Sequence, residues 1–334
     1  MTSNRYANSQ GLKLAALALL PAALLTTAHA EDTNAPAKTD TSATTTNTVD
    51  NTTGEKPAPL PLHQIEGNGG IFSTLSAYLV NPPRNGEWLG RPSVGLGYVD
   101  LGHGQNLEAV TLTETPWKRL ELGYGFNHLN LGDFQDAVYK ATGASISSAV
   151  EQHNFNARLN LLAENEFDQK WLPAVTFGVH YKYNDTFKDL NKQLGGGLTA
   201  LTGISHNDGV DYTLYASKLF TQLPRPVLVE LGGRATKGAQ LGLLGYTDDY
   251  SFVFEGNIVV FLTSNIALAA EYKQKPNEYK SVGSLIRPED DWWTIDAAYV
   301  VNKHLTLAAG YGHFGRVLNH EANGVWGVTT KWEF

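Results

Sequence analysis

Gly324-Val325-Trp326-Gly327-Val328-Thr329-Thr330-Lys331-Trp332-Glu333-Phe334 alternates cleanly between two faces. Side chains of a strand point to opposite sides with period two. Trp326, Val328, Thr330, Trp332 and Phe334 therefore share one face, and Gly327, Thr329, Lys331 and Glu333 the other. The first face is aromatic and apolar, and the second carries small, polar and charged groups. A strand built this way suits a sheet with lipid on one side and a polar interior on the other.

The start of the chain fits the same setting. Arg5 and Lys13 accompany an apolar run at 12–25, followed by Ala28-His29-Ala30. A basic start, a short apolar core and a small-x-small site read as a secretory signal peptide, residues 1–30, cleaved after Ala30. The run is short and broken by Pro21, so a retained membrane helix is the weaker reading. The chain contains no Cys, which removes disulfides, thiolate metal sites and Cys nucleophiles from consideration. The formal net charge is −8. Loss of Arg5 and Lys13 makes the exported chain more acidic, and nothing in it favours nucleic acid, which selects basic patches.

Residues 31–66 are rich in Thr, Asn, Ala and Pro. By composition they read as a disordered periplasmic leader, a spacer first, with stalk or partner-binding tail as alternatives. From residue 93 to 334 the texture is that of short strands. Leu120, Leu122, Tyr124 and Phe126 oppose Glu121, Gly123 and Gly125; Phe177, Val179 and Tyr181 oppose Gly178, His180 and Lys182; Trp293, Ile295 and Tyr299 oppose Thr294 and Asp296. Counting the weaker segments at 93–101, 107–114 and 227–235, the chain has about 12 strands, an even number as a single-chain barrel requires. Short links (115–116, 165–170, 222–225, 263–265, 302–303) alternate with longer ones (131–151, 184–209, 236–249, 274–290, 314–323). That alternation predicts an all-β, transmembrane antiparallel barrel with both ends in the periplasm and the long loops outside. The loops near 135–152 and 187–202 have room for short helices. A soluble sandwich or lipocalin-like barrel is the competing fold, and alternation alone does not separate the two.

Residues 67–92 stand outside the strand count, as either a plug or an additional strand. Gly95, Gly97, Gly123, Gly125, Gly310, Gly312 and Gly327 share the inward face. Strand glycines accompany tight coiling or the close approach of another backbone. The apolar stretch Gly69 to Val80 is the candidate for that backbone, with Pro82, Pro83 and Pro92 turning the chain into the first strand.

The aromatic last strand resembles the closing strand of bacterial outer-membrane β-barrels. That resemblance implies that Trp326, Val328, Thr330, Trp332 and Phe334 are an assembly signal read by the barrel-assembly machinery of a Gram-negative cell. Further segments are Leu120-Glu121-Leu122, Leu129-Asn130-Leu131-Gly132-Asp133, Trp171-Leu172-Pro173, Gly178-Val179-His180-Tyr181-Lys182, Arg234-Ala235-Thr236-Lys237, Gln240-Leu241-Gly242-Leu243-Leu244-Gly245, Glu271-Tyr272-Lys273-Gln274-Lys275-Pro276 and Glu289-Asp290-Asp291-Trp292-Trp293. Together they resemble a proteobacterial outer-membrane barrel family catalogued only as a domain of unknown function. The resemblance implies no activity.

The inward-facing charges form the most function-like set: Arg119, Glu121, Arg158, His180, Lys182, Glu230, Arg234, Glu255, Glu271, Lys273 and Asp296. In lipid each would be costly, so all are expected to line the lumen. They would either set the selectivity of an open channel or pair within a packed interior. Glu289-Asp290-Asp291 reads as a solvated acidic loop rather than a Ca²⁺ site, since EF-hand spacing is missing. The scattered histidines show no metal-ligand spacing, and neither a phosphate loop nor a nucleophile elbow is present. No metal or other cofactor is expected. The sequence thus reads as a non-enzymatic, porin-like outer-membrane protein in contact with lipid and lipopolysaccharide, passing small unidentified solutes. A plugged structural or assembly barrel with periplasmic partners is the alternative. An outer-membrane hydrolase, with Ser217 or Ser251 as the mid-strand serines, is the remote one.

Overall fold

In a computed structural model of the protein, residues 61–334 are described, apart from Asn85 and Pro276. The signal-peptide reading and the part of the leader before residue 61 lie outside these residues. The described chain begins with two short strands, β1 (Leu62–Gln64) and β2 (Asn68–Gly70), paired as a small hairpin. The wall follows: β3 (Ser93–Gly102), β4 (Gln105–Trp117), β5 (Leu120–Leu131), β6 (Ala149–Leu162), β7 (Ala174–Asn184), β8 (Asp208–Phe220), β9 (Val227–Ala239), β10 (Gly245–Phe261), β11 (Ile266–Lys273), β12 (Trp292–Val300), β13 (Leu305–Val317) and β14 (His320–Glu333). Each pairs antiparallel with the next, and β14 returns to β3, closing a barrel. Closure leaves no sheet edge, so the wall's backbone groups are satisfied without water.

Alternation sets which face is which. On β7, Thr176, Gly178, His180 and Lys182 are buried, while Phe177 and Tyr181 are exposed. The other strands repeat this, so the outer surface is a band of large apolar side chains. Phe252 and Ile295 are 69% and 60% exposed, an arrangement stable in hydrocarbon and costly in water. Aromatic rings pack against one another on this outer face: Tyr124 against Phe155 (centroids 5.2 Å), Phe155 against Tyr181 (6.3 Å), and Tyr98 against Trp326 (5.7 Å). Trp117, Trp171, Trp332 and Phe334 are exposed as well. A closed barrel with large apolar and aromatic side chains outside and polar ones inside is a transmembrane barrel of the outer-membrane type, and the soluble-sandwich alternative falls with it.

One end of the barrel, the turn end, carries short connections and receives the start of β3 and the end of β14. The other, the loop end, carries residues 132–148, with helix α1 (Phe134–Thr142), and residues 185–207, with α2 (Phe187–Gln193) and α3 (Gly197–Thr202). Two connections differ from the sequence reading. The expected loop at 314–323 is mostly strand, because β13 and β14 extend to a tight turn at Leu318, which takes a positive φ. The expected loop at 236–249 is likewise strand, and its remaining link, residues 240–244, folds inward over the lumen rather than outward. Gln240 and Leu241 take left-handed φ values of 50° and 60° to make that turn.

The leader boundary is also corrected. Residues 61–66 are ordered inside the barrel, not part of a disordered segment. Their composition gave no sign of it, because their partners lie 30 to 270 residues away in the wall.

Candidate functional site

The lumen is occupied by the chain's own residues 61–80. The segment enters from the turn end, where Lys331 donates to the Pro61 carbonyl and His63 sits between Thr111 Oγ1 (2.8 Å) and Ser93 Oγ (2.7 Å). Burial, with Lys331 close by, pushes the His63 imidazole down to about 3, so this contact is made by a neutral ring. The chain turns at Gly67, with φ +82°. A Cβ there would collide with the Tyr124 carbonyl, and one at Gly123 would collide with the Gly67 carbonyl. Only glycine on both sides lets plug and wall backbones come this close. Gly310 and Gly327 similarly make room for the Phe72 ring, whereas Gly97 and Gly312 meet only the wall. The segment then returns past Ser76 and Val80 to the turn end, where Gly90 N–H donates to the Thr115 carbonyl (3.2 Å).

Carboxylates of the wall hold the plug by its backbone. Glu271 accepts from three successive amides, Phe72 (3.0 Å), Ser73 (2.9 Å) and Thr74 (2.7 Å), and from the Thr74 hydroxyl (2.5 Å). The Thr294 hydroxyl lies between Glu271 and Asp296, 3.2 and 2.9 Å away. Glu121 accepts from Gly69 N (3.1 Å) and Val80 N (2.7 Å), and pairs with Arg158 at 3.0 Å. Arg158 in turn donates to the carbonyls of Gly69 (2.8 Å) and Ser76. Glu230 has no cation in reach among the described residues. It accepts instead from Ser76 (2.5 Å), Ser217 (2.7 Å) and Asn257 (2.8 Å).

Glu66, at the tip of the plug, completes the charged centre. Its carboxylate contacts Lys182 at 2.5 Å and takes both forks of Arg234 at 2.9 Å. Asp211 lies 2.8 Å from each of the same two cations. Glu255 lies 3.2 Å from Arg234 and 3.5 Å from Lys273, and also accepts from the Tyr215 hydroxyl. Burial works against a charge at Glu66, but Arg234 and Lys182 overcome it and hold the carboxyl well below the usual range. The wall supplies Lys182, Arg234 and Lys273 against Asp211 and Glu255, an excess of one positive charge. Glu66 cancels it. His180 is packed beside this centre, bonded to Asn156 (2.6 Å), Asn68 (3.1 Å) and Thr213 (2.8 Å).

Ten of the eleven expected lumen residues are thus buried in this interior: Glu121, Arg158, His180, Lys182, Glu230, Arg234, Glu255, Glu271, Lys273 and Asp296. Arg119 is not. It lies in the β4–β5 turn, half exposed, and pairs with Glu166 of the neighbouring turn at 2.5 Å. Parity carried one residue past the end of a strand no longer fixes direction. Reading the sequence also missed Glu66, Asp211 and Tyr215. Asp211 and Tyr215 share the parity of Thr213 and were legible on β8, whereas Glu66 sits in a segment with no periodicity to read. Ser217 is engaged with the plug. Glu289 is buried against Lys275 at 2.6 Å rather than solvated, and no cluster suited to a metal ion is found among the described residues.

Above the plug the interior changes character. Phe72, Val99, Leu101, Leu129, Leu244 and Phe314 belong to one apolar cluster that continues into Phe134, Val138, Leu190 and Leu198 of the loop-end helices. The in-turned link closes over the centre, with the Leu241 carbonyl accepting from Gln152 at 3.1 Å.

A family model described as "Protein of unknown function (DUF3034)" matches residues 62–329. The chain belongs to that family. The matched region begins at the first residue of β1, so the plug and the wall fall within one family unit. No curated protein matches the chain. Among solved structures it is similar to the KdgM porin, at 9% identity over 72% of this chain and 99% of that one, with a TM-score of 0.44. It is also similar to the outer-membrane phospholipase dimer of Salmonella typhi, crystallised with calcium, at 12% identity over 75% and 93%, TM-score 0.36. The toluene transporter TodX of P. putida matches at 10% identity over 73% and 90%, TM-score 0.34.

Proposed function

We propose that this protein is a gated, non-catalytic facilitator for small solutes in the outer membrane, closed at rest by its own residues 61–80. The loop end faces outward and the turn end faces the periplasm, where the plug enters and leaves. The wall behind the plug carries this reading. It is polar nearly all round: Thr113 donates to Gly67 O (3.2 Å), Thr176 to Ala77 O (2.5 Å), Ser217 accepts from Ala77 N (2.8 Å), and Asn257 donates to Thr74 Oγ1 (2.8 Å). A permanently filled interior gains as much or more from apolar packing than from buried ion networks. A wall that water can wet is what an opening lumen needs, since each plug contact can be exchanged for a water contact. The competing reading, a static filled barrel with a structural or assembly role, uses the same polar wall only to hold the plug in place.

A reversible lock separates the two. Ser76 on the plug and Ser217 on the wall converge on one Glu230 oxygen, and the native chain has no Cys to interfere. In proteoliposomes carrying Ser76→Cys/Ser217→Cys, arabinose and chloride flux should stop on oxidation and return on reduction. Flux that persists through the locked state, or its absence from the wild type as well, would overturn the gated reading.

A further inference from the structure

A cavity of about 240 Å³ lies at the loop end, enclosed by α1, α2, α3 and residues 282–286. Phe134, Val138, Leu190, Leu198 and Ile286 line it, and no charged side chain does. Its two hydroxyls are already engaged. Thr142 donates to Val138 O (2.8 Å) and accepts from Ala144 N (3.1 Å); Thr202 donates to Leu198 O (2.6 Å) and accepts from Ile204 N (3.1 Å). A buried water needs two to four polar partners, and apolar cavities of about 150 Å³ stay dry and take up benzene. Leu201, also on the lining, is 57% exposed, so the cavity reaches the surface. At its inner side Leu244 belongs both to this wall and to that of a second cavity of about 40 Å³, which Ile65 and Phe72 of the plug also line.

We propose that the outer cavity is a binding site for a small, uncharged, mainly apolar molecule, of one or two rings or a short hydrocarbon chain. It holds such a molecule outside the plug, with Leu244 between it and the plug tip. As the capture step of transport this rests on the gated reading above; as a binding site it stands by itself. The volume excludes a full lipid, and the engaged hydroxyls leave nothing to recognise a sugar.

The test is equilibrium dialysis of naphthalene against the full chain in lipid nanodiscs, with empty nanodiscs setting the background partition. Saturable uptake of about one naphthalene per chain is expected. It should weaken at least tenfold in Ala144→Phe and in Leu198→Trp, which fill the cavity from different elements; the gel shift on boiling checks that each variant is folded. Displacement by octane marks the site as one for chains as well as rings, and failure of octane to displace restricts it to rings; either is a mode of the proposed site. Uptake no greater than in empty discs, or equal uptake in both filled variants, would overturn it. Saturable binding without flux in any state would leave this site in place and remove the gated reading. Flux under lock control without binding would do the reverse.

Discussion

Glu66 shows how one residue can decide the state of an interior. The wall's buried cations outnumber their wall partners, and Glu66 supplies the missing charge through contacts of 2.5 to 2.9 Å with Lys182 and Arg234. Removing one partner from a buried ion network costs about 3–5 kcal/mol, because the remaining charge is left without compensation. Glu66→Ala is therefore expected to lower the temperature of the boiling-dependent gel shift sharply, or to open the lumen to water that solvates Arg234. An unchanged midpoint with an unchanged, closed lumen would contradict the role given to this carboxylate. Wall charges such as Arg158 and Lys182 were legible from parity alone. Glu66 was not, because its meaning lies in Arg234, 168 positions away, and no local pattern encodes such a distance. Arg119 failed for the opposite reason: parity named it, but the turn released it.

At the level of elements, the strands were the legible part. The alternation on β5, β7 and β12 follows from one face in lipid and the other against a polar interior, and that constraint acts residue by residue. The helices at the loop end could be placed only as short segments within long connections. The inward fold of residues 240–244 and the plug hairpin had no local signature, since β1 and β2 are three residues each and are held by distant side chains. The link at 274–291 carries a testable charge. Burial pushes the Glu278 carboxyl up to about 8, with Lys275 opposing the rise and Glu289 adding to it, and its Oε2 is buried without a hydrogen-bond donor. A carboxyl raised in the folded state costs nothing below its unfolded value near 4.5. Its ionisation then costs progressively more stability up to about 8, and no more beyond. Resistance of this link to proteolysis should accordingly fall as pH rises from 5 to 8 and level off above. Glu278→Gln should flatten the profile; the same slope in the variant would assign it to another group.

For the whole molecule, the barrel and its contents follow different physics. The wall closes on itself and satisfies its backbone without help, so its existence does not depend on what fills it. The contents are joined to it mainly by hydrogen bonds and ion pairs that water can replace. This division is why the fold could be read from sequence, and why the state of the lumen could not: open and packed interiors demand the same inward polarity. Planar-bilayer conductance of the wild type beside a chain lacking residues 61–80 tests the closed-by-plug claim directly, with the gel shift on boiling confirming that each is folded. The wild type should open only rarely and briefly, and the deletion should conduct in steady, ohmic steps. A wild type that conducts as freely as the deletion, or a folded deletion that stays silent, would contradict it.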